Sequence, residues 1–487
     1  MPRAPREVHL PIVLDQPRSA ALVDAIIELI STGQLSDADW LPSSRALAHQ
    51  LSCSRTLVET AYAELIAAGY LETFPGSGTR VAEGAANGAA AGVAAGFASA
   101  AAGPRHLSGK AMGEKGPTAQ EAVSWKPGRS TWSATSRNLR PGRPDTALMD
   151  MRAWAASVKR AAVETAFRES PREVGNPTFA SAMAEHLRRH RGISTESIVT
   201  APGSAHIFAA IAELAHARGL RRCYMEAPCY GAAYEEMVRV GLDVFPVGVD
   251  EDGLQVGDLP SKAGLVYVTP AHQYPLGYRM SVPRRAELIA WAGRTGSIII
   301  EDDYDGEFRF GVPPLPALRS MRGAGECVVY VGTSSKVLSP SLALAWAVPP
   351  AGMFDELADF MWDRRLVASP VIATALAGFI TSGDLARHLS RASRVYRDRR
   401  RSLVQAMESS GLDVPVLGVA AGLHVSLGVA DDAEVALNLR DLGWEVSTLS
   451  SFPSQPKSIV SGLVVGFACL EPMRAREFAH DLSEVLG

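Results

Sequence analysis

The chain has 487 residues, 47% of them hydrophobic, and its 52 acidic against 48 basic residues give a formal net charge of −4. This length predicts at least two domains, and the balanced charge excludes a protein that is basic throughout. Its five cysteines are scattered without a CxxC pair, which predicts free thiols in a reducing compartment. Neither a signal-peptide pattern nor an apolar run of membrane-spanning length is found, so we expect a cytoplasmic protein.

Residues 1–82 predict a compact helical unit that ends in a hairpin. Apolar side chains recur at helical spacing over Ala21–Ile30, and a second helix is predicted to begin at Ser43 or Ser44. A third helix begins at Ser54 with a polar first turn, as in a helix-turn-helix, and two short strands then enclose a Pro-Gly-Ser-Gly turn. The alternative is a simple packing unit, because acidic residues outnumber arginines here and lysine is absent.

This unit resembles the winged helix-turn-helix of the GntR family of transcriptional regulators. The strings LPSSRALA, SRTLVETAYAELIAAGYLE and PGSGTRV, which cover nearly all of the unit, support the resemblance. It implies binding to a double-stranded DNA operator. By the same resemblance, the residues that face DNA are Arg45, Ser54, Arg55, Thr56, Gly76, Ser77, Gly78 and Arg80.

Two further segments follow. Residues 83–138 are rich in Ala, Gly, Ser and Pro, which predicts a flexible linker. Residues 139–487 alternate strand and helix patterns, which predicts an α/β domain with a mostly parallel central sheet and a small C-terminal α/β subdomain.

Lys336 is the centre of the predicted site in the large domain. It follows the apolar run Val328–Val331 through a Gly-Thr-Ser turn, in the string VVYVGTSSK. Open α/β sheets bind ligands at the ends of their strands, and a buried lysine there can form a Schiff base with an aldehyde cofactor. The alternative is an ordinary lysine on a surface loop.

Four other predicted strand ends carry residues that suit such a cofactor. Asp302, in a cluster of acids, could pair with a protonated pyridine nitrogen, although a metal or plain solvent would serve as well. Tyr230 could stack on a heterocycle, and Ser204 at a helix N-terminus could bind a phosphate. His272 could line a second wall of the pocket. Tyr230 and His272, taken singly, are more often ordinary packing residues.

Together these strand ends resemble the fold type I aminotransferase-like domain of MocR-type regulators, which belong to the GntR family. The strings VTPAHQYPLG, IIEDDYDGEFRF, LPAL and YVGTSSK support this resemblance. It implies a homodimer that binds pyridoxal 5'-phosphate (PLP), with Lys336 bound to the cofactor and Asp302 on the pyridine nitrogen. The other cofactor-binding residues that it implies are Tyr304 at the phenolic oxygen, Tyr230 on the ring, and Ser204, Thr333 and Ser335 on the phosphate; we add His272 because of its place at a polar strand end.

Some positions depart from the family pattern. Ala343 stands where an arginine would bind the phosphate, and Val174 stands where a tyrosine would reach the phosphate of the partner subunit. Ala232 and the segment Gly462–Gly466 lack the arginines that bind a substrate carboxylate. Two readings stay open: PLP binds through Lys336 with reduced affinity, or the pocket has lost PLP and binds another small ligand.

The sequence therefore predicts a transcriptional regulator whose aminotransferase-like domain senses PLP, an amino compound or both. The alternative from another class is a genuine PLP-dependent aminotransferase with an added helical domain. Because the carboxylate-binding arginines are missing, we expect no catalytic turnover, and we assign no catalytic residue and no metal ligand.

Overall fold

The computed structural model describes residues 10–12, 19–51, 53–67, 70–74, 78–82, 85, 137–166, 174–310, 317–452 and 461–487. The predicted linker, 83–138, lies outside these residues except for Ala85, Arg137 and Asn138, and the predicted wing residues Gly76 and Ser77 lie outside them too. Within the described ranges no helix has the length and apolarity needed to cross a membrane. All five cysteines are free thiols.

The N-terminal unit is a winged helix. Its elements are α1 (Ser19–Ser31), α2 (Ser44–Gln50), α3 (Arg55–Ala67), β1 (Leu71–Phe74) and β2 (Gly78–Val81). Ser43 caps α2, because its side chain accepts a hydrogen bond from the Ala46 amide at 3.2 Å. The two helices of the helix-turn-helix are held together by buried apolar residues such as Leu47 and Val58. The buried Tyr62 hydroxyl of α3 also donates to the Pro42 carbonyl at 2.8 Å, just before α2.

The wing has a third backbone segment that the sequence patterns did not reveal. β1 and β2 pair antiparallel, with Leu71 opposite Val81. Trp40, between α1 and α2, forms an isolated antiparallel bridge with Arg80 of β2. The Leu41 amide donates to the Thr79 carbonyl at 2.8 Å, so the outer edge of β2 is paired rather than open.

The large domain is built on an eight-stranded sheet. Its strands are β3 (Val199–Ala201), β4 (Arg222–Ala227), β5 (Asp243–Asp250), β6 (Gly253–Leu254), β7 (Leu265–Val268), β8 (Ile298–Asp303), β9 (Val328–Thr333) and β10 (Ala345–Val348). The spatial order is β3-β10-β9-β8-β7-β4-β5-β6. The pairs between β9, β8, β7, β4 and β5 are parallel, whereas β10 and β6 pair antiparallel with their neighbours. The predicted mostly parallel sheet is confirmed.

Helices cover both faces of this sheet. In chain order the helices of the large domain are α4 (Met151–Thr165), α5 (Pro177–Arg191), α6 (Ser204–Ala217), α7 (Gly231–Arg239), α8 (Val282–Thr295), α9 (Ser334–Val337), α10 (Phe354–Asp363), α11 (Pro370–Thr381) and α12 (Asp384–Ser409). Apolar side chains of α6, α7 and α10 share one buried cluster with the sheet, and those of α8 share another. Burial on both faces explains why strands such as Val328–Val331 are apolar without alternation.

The C-terminal subdomain is a smaller antiparallel sheet with two helices. Its elements are β11 (Val416–Leu417), β12 (His424–Gly428), α13 (Asp432–Asp441), β13 (Ser447–Thr448), β14 (Gly462–Gly466) and α14 (Pro472–Leu486). Its strand order is β11-β12-β14-β13. The Gly466 amide donates to the Leu139 carbonyl at 2.7 Å, which ties this sheet to the start of the large domain.

Candidate cofactor and DNA sites

The topology brings the predicted cofactor residues to one edge of the large sheet. β3, β4, β7, β8 and β9 point in the same direction, so their carboxyl ends lie along one edge. The predicted residues follow these ends: Ser204 begins α6 after β3, Tyr230 follows β4, His272 follows β7, Asp302 and Tyr304 lie at the end of β8, and Thr333, Ser335 and Lys336 lie at the end of β9.

Lys336 lies at this edge in the short helix α9. Its Nζ donates to the backbone carbonyl of Gly142 at 3.0 Å. Burial lowers the pKa of Lys336, and the carboxylates of Asp302 and Asp305 oppose this shift. A lowered pKa increases the fraction of neutral amine, which is the form that attacks an aldehyde. The arrangement therefore suits a nucleophilic lysine.

Asp302 is the buried acid of the site, with 4% of its surface exposed. Its Oδ2 accepts a hydrogen bond from the Tyr267 hydroxyl at 2.6 Å. Burial, helped by Asp303 and Asp305 and opposed by the Tyr267 hydrogen bond and by Lys336, raises the pKa of Asp302 to about 7. Such a carboxyl gains most from a cationic partner, and a protonated pyridine nitrogen would be one.

This raised pKa predicts a pH-dependent stability of the cofactor-free protein. An unfolded chain loses the Asp302 proton near pH ~4 and the folded chain near pH ~7, so folded protein binds the extra proton between those values. The free energy of unfolding should then fall as the pH rises through this window. Glu226 and Glu301, whose pKa values burial also raises to about 7, contribute in the same direction. Asp302→Asn should make the fall smaller, and urea titrations at about pH 5 and about pH 8 would measure it. An unchanged fall would contradict the assignment of a protonated Asp302.

Tyr304 belongs to a cluster of contacting polar side chains, of which only Tyr304 and His272 were predicted as site residues from the sequence. The Tyr304 hydroxyl and the His272 Nδ1 are 3.0 Å apart, and this Nδ1 is also 3.0 Å from Oδ2 of Asp305. His424 packs on His272 with ring centroids 4.9 Å apart, and its Nε2 lies 3.0 Å from the Pro275 carbonyl. Burial, helped by His272, lowers the pKa of His424 to about 3, so His424 is neutral. These contacts fix the position of Tyr304 at the strand end.

An aromatic wall links this polar group to Tyr230. The ring of Tyr274 lies 5.9 Å from that of Tyr230, 5.6 Å from that of Tyr304 and 5.4 Å from that of Phe452, all edge-on. Sequence reasoning did not assign Tyr274, Phe452 or His424 to the site. The aromatic residue inside the string VTPAHQYPLG was the only available signal for Tyr274.

The predicted phosphate residues lie at the ends of β3 and β9. Ala345 of β10 pairs with both Ala201 and Thr333, so one strand separates the two ends, a gap of about 10 Å. The Thr333 Oγ1 accepts from the Ser335 amide at 3.1 Å and caps α9. Ser204 is the first residue of the 14-residue helix α6, where backbone amides and the helix dipole favour an anion.

Ala343 and Val174, the two residues that depart from the family pattern at the phosphate, carry no group that could bind it. Ala343 has a φ of 46°, in the left-handed region that residues other than glycine rarely adopt, and its side chain is a methyl group. Val174 is buried with 3% exposure, and its carbonyl accepts from Thr200. At these two positions the structure therefore offers a methyl group and a buried valine side chain, neither of which can pair with an anion.

The predicted DNA-facing residues that the structure describes lie on α2, at the start of α3 and in β2. Arg45 on α2 and Arg55 at the start of α3 are both exposed, and the side chain of Arg55 is 58% exposed. The Ser54 Oγ accepts from the Leu57 amide at 3.2 Å and caps α3. The other described members are Thr56, which is exposed on α3, and Gly78 and Arg80 in β2.

Comparison with known proteins agrees with this division into two parts. The family model of bacterial regulatory proteins of the gntR family matches residues 18–81, and that of class I and II aminotransferases matches residues 138–455. The HTH-type pyridoxine biosynthesis transcriptional regulator PdxR of Corynebacterium glutamicum is 31% identical over 98% of this chain and 99% of its own length. The probable rhizopine catabolism regulatory protein MocR of Rhizobium meliloti is 30% identical over 96% of this chain and 93% of its own.

The solved structures support the fold of the large domain. The kynurenine aminotransferase of Pyrococcus horikoshii, solved in complex with PMP, superposes with a TM-score of 0.65 at 20% identity. The superposition covers 72% of this chain and 91% of that enzyme. Since these two relatives align over nearly the whole chain and both are regulators, the chain belongs to the GntR-family HTH transcriptional regulators that carry an aminotransferase-like domain.

Proposed function

We propose that the large domain of this regulator binds PLP through Lys336 and that occupancy of this pocket changes the affinity of the winged helix for its operator. The observation that carries the proposal is the placement of Lys336, whose pKa burial lowers, at the same sheet edge as the buried carboxyl of Asp302. When bound, PLP would supply an aldehyde that condenses with amines and an electron-withdrawing ring.

The residues present fit this cofactor at its ring end. Lys336 would hold the aldehyde carbon, and its amine is already held in place by the Gly142 carbonyl at 3.0 Å. Asp302 would hold the proton of the pyridine nitrogen, and the Tyr267 hydroxyl would keep its carboxylate oriented. Tyr230 would cover one face of the ring. Tyr304 would reach the phenolic oxygen, with His272 and Asp305 positioning its hydroxyl.

The fit is weaker at the phosphate end. Ser204, Thr333 and Ser335 would donate hydroxyl hydrogen bonds, and the N-terminus of α6 would add backbone amides. The missing arginine at Ala343 removes a charge-assisted contact of about 1.5–3 kcal/mol, which corresponds to a loss of roughly tenfold or more in affinity. We therefore expect reversible binding that responds to the concentration of PLP, as a sensor requires.

The winged helix would bind the operator DNA. Arg45, Arg55 and Arg80 would contact phosphates or base edges, and Ser54 and Thr56 would assist them at the start of α3. We further propose a homodimer, because two winged helices would then read paired half-sites on a two-fold operator. A ligand shifts such a dimer only if the two arrangements bind it with different affinity.

The proposal is tested by titrating the purified full chain with PLP. We expect the visible absorption band of a lysine-bound cofactor to appear and saturate, together with a rise in melting temperature. If no band forms, and another small molecule raises the melting temperature instead, the pocket binds a different ligand. Repeated turnover of an amino donor and a keto acid would support the aminotransferase alternative.

A further inference from the structure

We infer that the effector of this pocket is an amine that lacks a carboxylate and has an apolar body, such as an arylalkyl or branched alkyl primary amine. The inference rests on the proposed function, since it names the ligand class of the same pocket. It depends on two independent features of the described residues. One is the sign of the charges around Lys336, and the other is the apolar character of Tyr274 and of the cluster around Val464 on which it packs.

The charges around Lys336 are acidic. The charged side chains that affect the pKa of Lys336 are the carboxylates of Asp302 and Asp305. Asp302 and Glu235 raise the pKa of Tyr230, and Asp305 raises the pKa of Tyr274. A carboxylate on the ligand would therefore enter a site where Lys336 already faces two acidic side chains, Asp302 and Asp305, and these would oppose a further negative charge.

The face of the small sheet that borders the pocket can be identified from its register. His424 and Ser426 of β12 both contact the Pro275 carbonyl, through Nε2 at 3.0 Å and Oγ at 2.6 Å. This face of β12 therefore packs against the loop that carries His272 and Tyr274. Ser426 pairs with Val464 of β14, so the Val464 side chain lies on the same face.

At Val464 this face is apolar. Val464 is fully buried and belongs to a cluster with Leu276, Leu449 and Phe452, against which Tyr274 packs. Because the Tyr274 ring also contacts Tyr230 and Tyr304, this cluster lies one aromatic ring away from the proposed cofactor pocket. A ligand that places its nitrogen near Lys336 would then direct its other end at the ring of Tyr274, with the aliphatic cluster packed behind that ring. Such a surface accepts a hydrocarbon body and excludes a carboxylate.

The aromatic wall also suits the arriving amine. Amines enter as ammonium ions, and the rings of Tyr230, Tyr274 and Tyr304 lie close to the acidic side chains of Asp302 and Asp305. Both features attract a cation. An α-amino acid, which carries an anion next to its ammonium group, would lose this advantage.

The test compares matched amine and amino acid pairs on the full chain loaded with PLP. The probes are 2-phenylethylamine against L-phenylalanine, and 3-methylbutylamine against L-leucine, which differ only in the α-carboxylate. The readouts are the shift of the visible absorption band and the melting temperature. We expect each amine to act at a concentration about tenfold or more below that of its amino acid. Equal or stronger action of the amino acids would overturn the inference while leaving the proposed function intact. A protein that forms no visible band with PLP would overturn both.

Two variants at one position sharpen the test. Val464→Arg places a cation in the cluster behind Tyr274 and should reverse the preference in favour of the amino acids, whereas Val464→Leu keeps this cluster apolar and should retain the preference for amines. A Val464→Arg protein that forms the normal visible band but still prefers amines would overturn the inference. If that variant does not fold, the comparison of matched probes on the wild-type chain and on Val464→Leu decides the question.

Discussion

Replacement of Lys336 by alanine should abolish the visible absorption band that PLP produces with this protein. Nζ of Lys336 is the amine that lies at the sheet edge with Asp302, and alanine offers no nucleophile there. Losing the covalent link should weaken PLP binding by about a hundredfold or more, a difference of at least ~2.7 kcal/mol. Equilibrium dialysis of PLP against both proteins, with spectra of the bound fractions, measures the effect.

The matched control is Lys159→Ala. Lys159 lies on the exposed surface of α4, outside the pocket, so this variant should bind PLP as the wild-type chain does. A Lys336→Ala protein that keeps the band would show that PLP reacts elsewhere. Equal loss of the band in both variants would point to non-specific reaction with surface lysines.

Replacement of Arg55 by alanine should strongly weaken operator binding. Arg55 begins α3 with its side chain 58% exposed, in the position where a recognition helix reaches base edges and phosphates. One lost arginine contact costs about 1–3 kcal/mol, and a dimer loses two such contacts, so we expect a loss of roughly a hundredfold or more. A fluorescence anisotropy titration with labelled operator DNA would measure the loss at fixed salt.

Glu59, which is paired with Arg55, provides a control variant that should not weaken operator binding. The Arg55 Nε lies 2.8 Å from Oε1 of Glu59, one turn along the helix. Glu59→Gln removes the competing negative charge and should leave operator affinity equal or tighter, while Arg55→Ala weakens it. Melting temperatures of both variants should stay close to wild type, because surface pairs of this kind contribute less than about 1 kcal/mol. Unchanged DNA binding in Arg55→Ala would show that α3 does not read the operator.

The strand-end residues could be predicted from sequence because a parallel sheet gathers the carboxyl ends of its strands. Lys336, Asp302 and Tyr230 each follow a short apolar run, and the structure brings the three runs to one edge. The Ser43 cap and the start of α3 were predictable for a similar reason, since capping residues act on their own helix.

Contacts between distant segments could not be predicted in this way. The partner of Lys336 is a backbone carbonyl 194 residues earlier in the chain, and a carbonyl has no side-chain signature. The wall that joins Tyr274 to His424 and Phe452 forms only when the small sheet packs on the large domain. The bridge from Trp40 to Arg80 is likewise a tertiary contact.

The central claim is that cofactor binding at Lys336 controls DNA binding, and operator affinity measured with and without PLP tests it most directly. We predict that saturating PLP changes the affinity of the wild-type chain about fivefold or more, the range of an ordinary allosteric coupling, and leaves that of Lys336→Ala unchanged. Equal operator affinity of the wild-type chain in the two conditions, with the visible band present, would contradict the account.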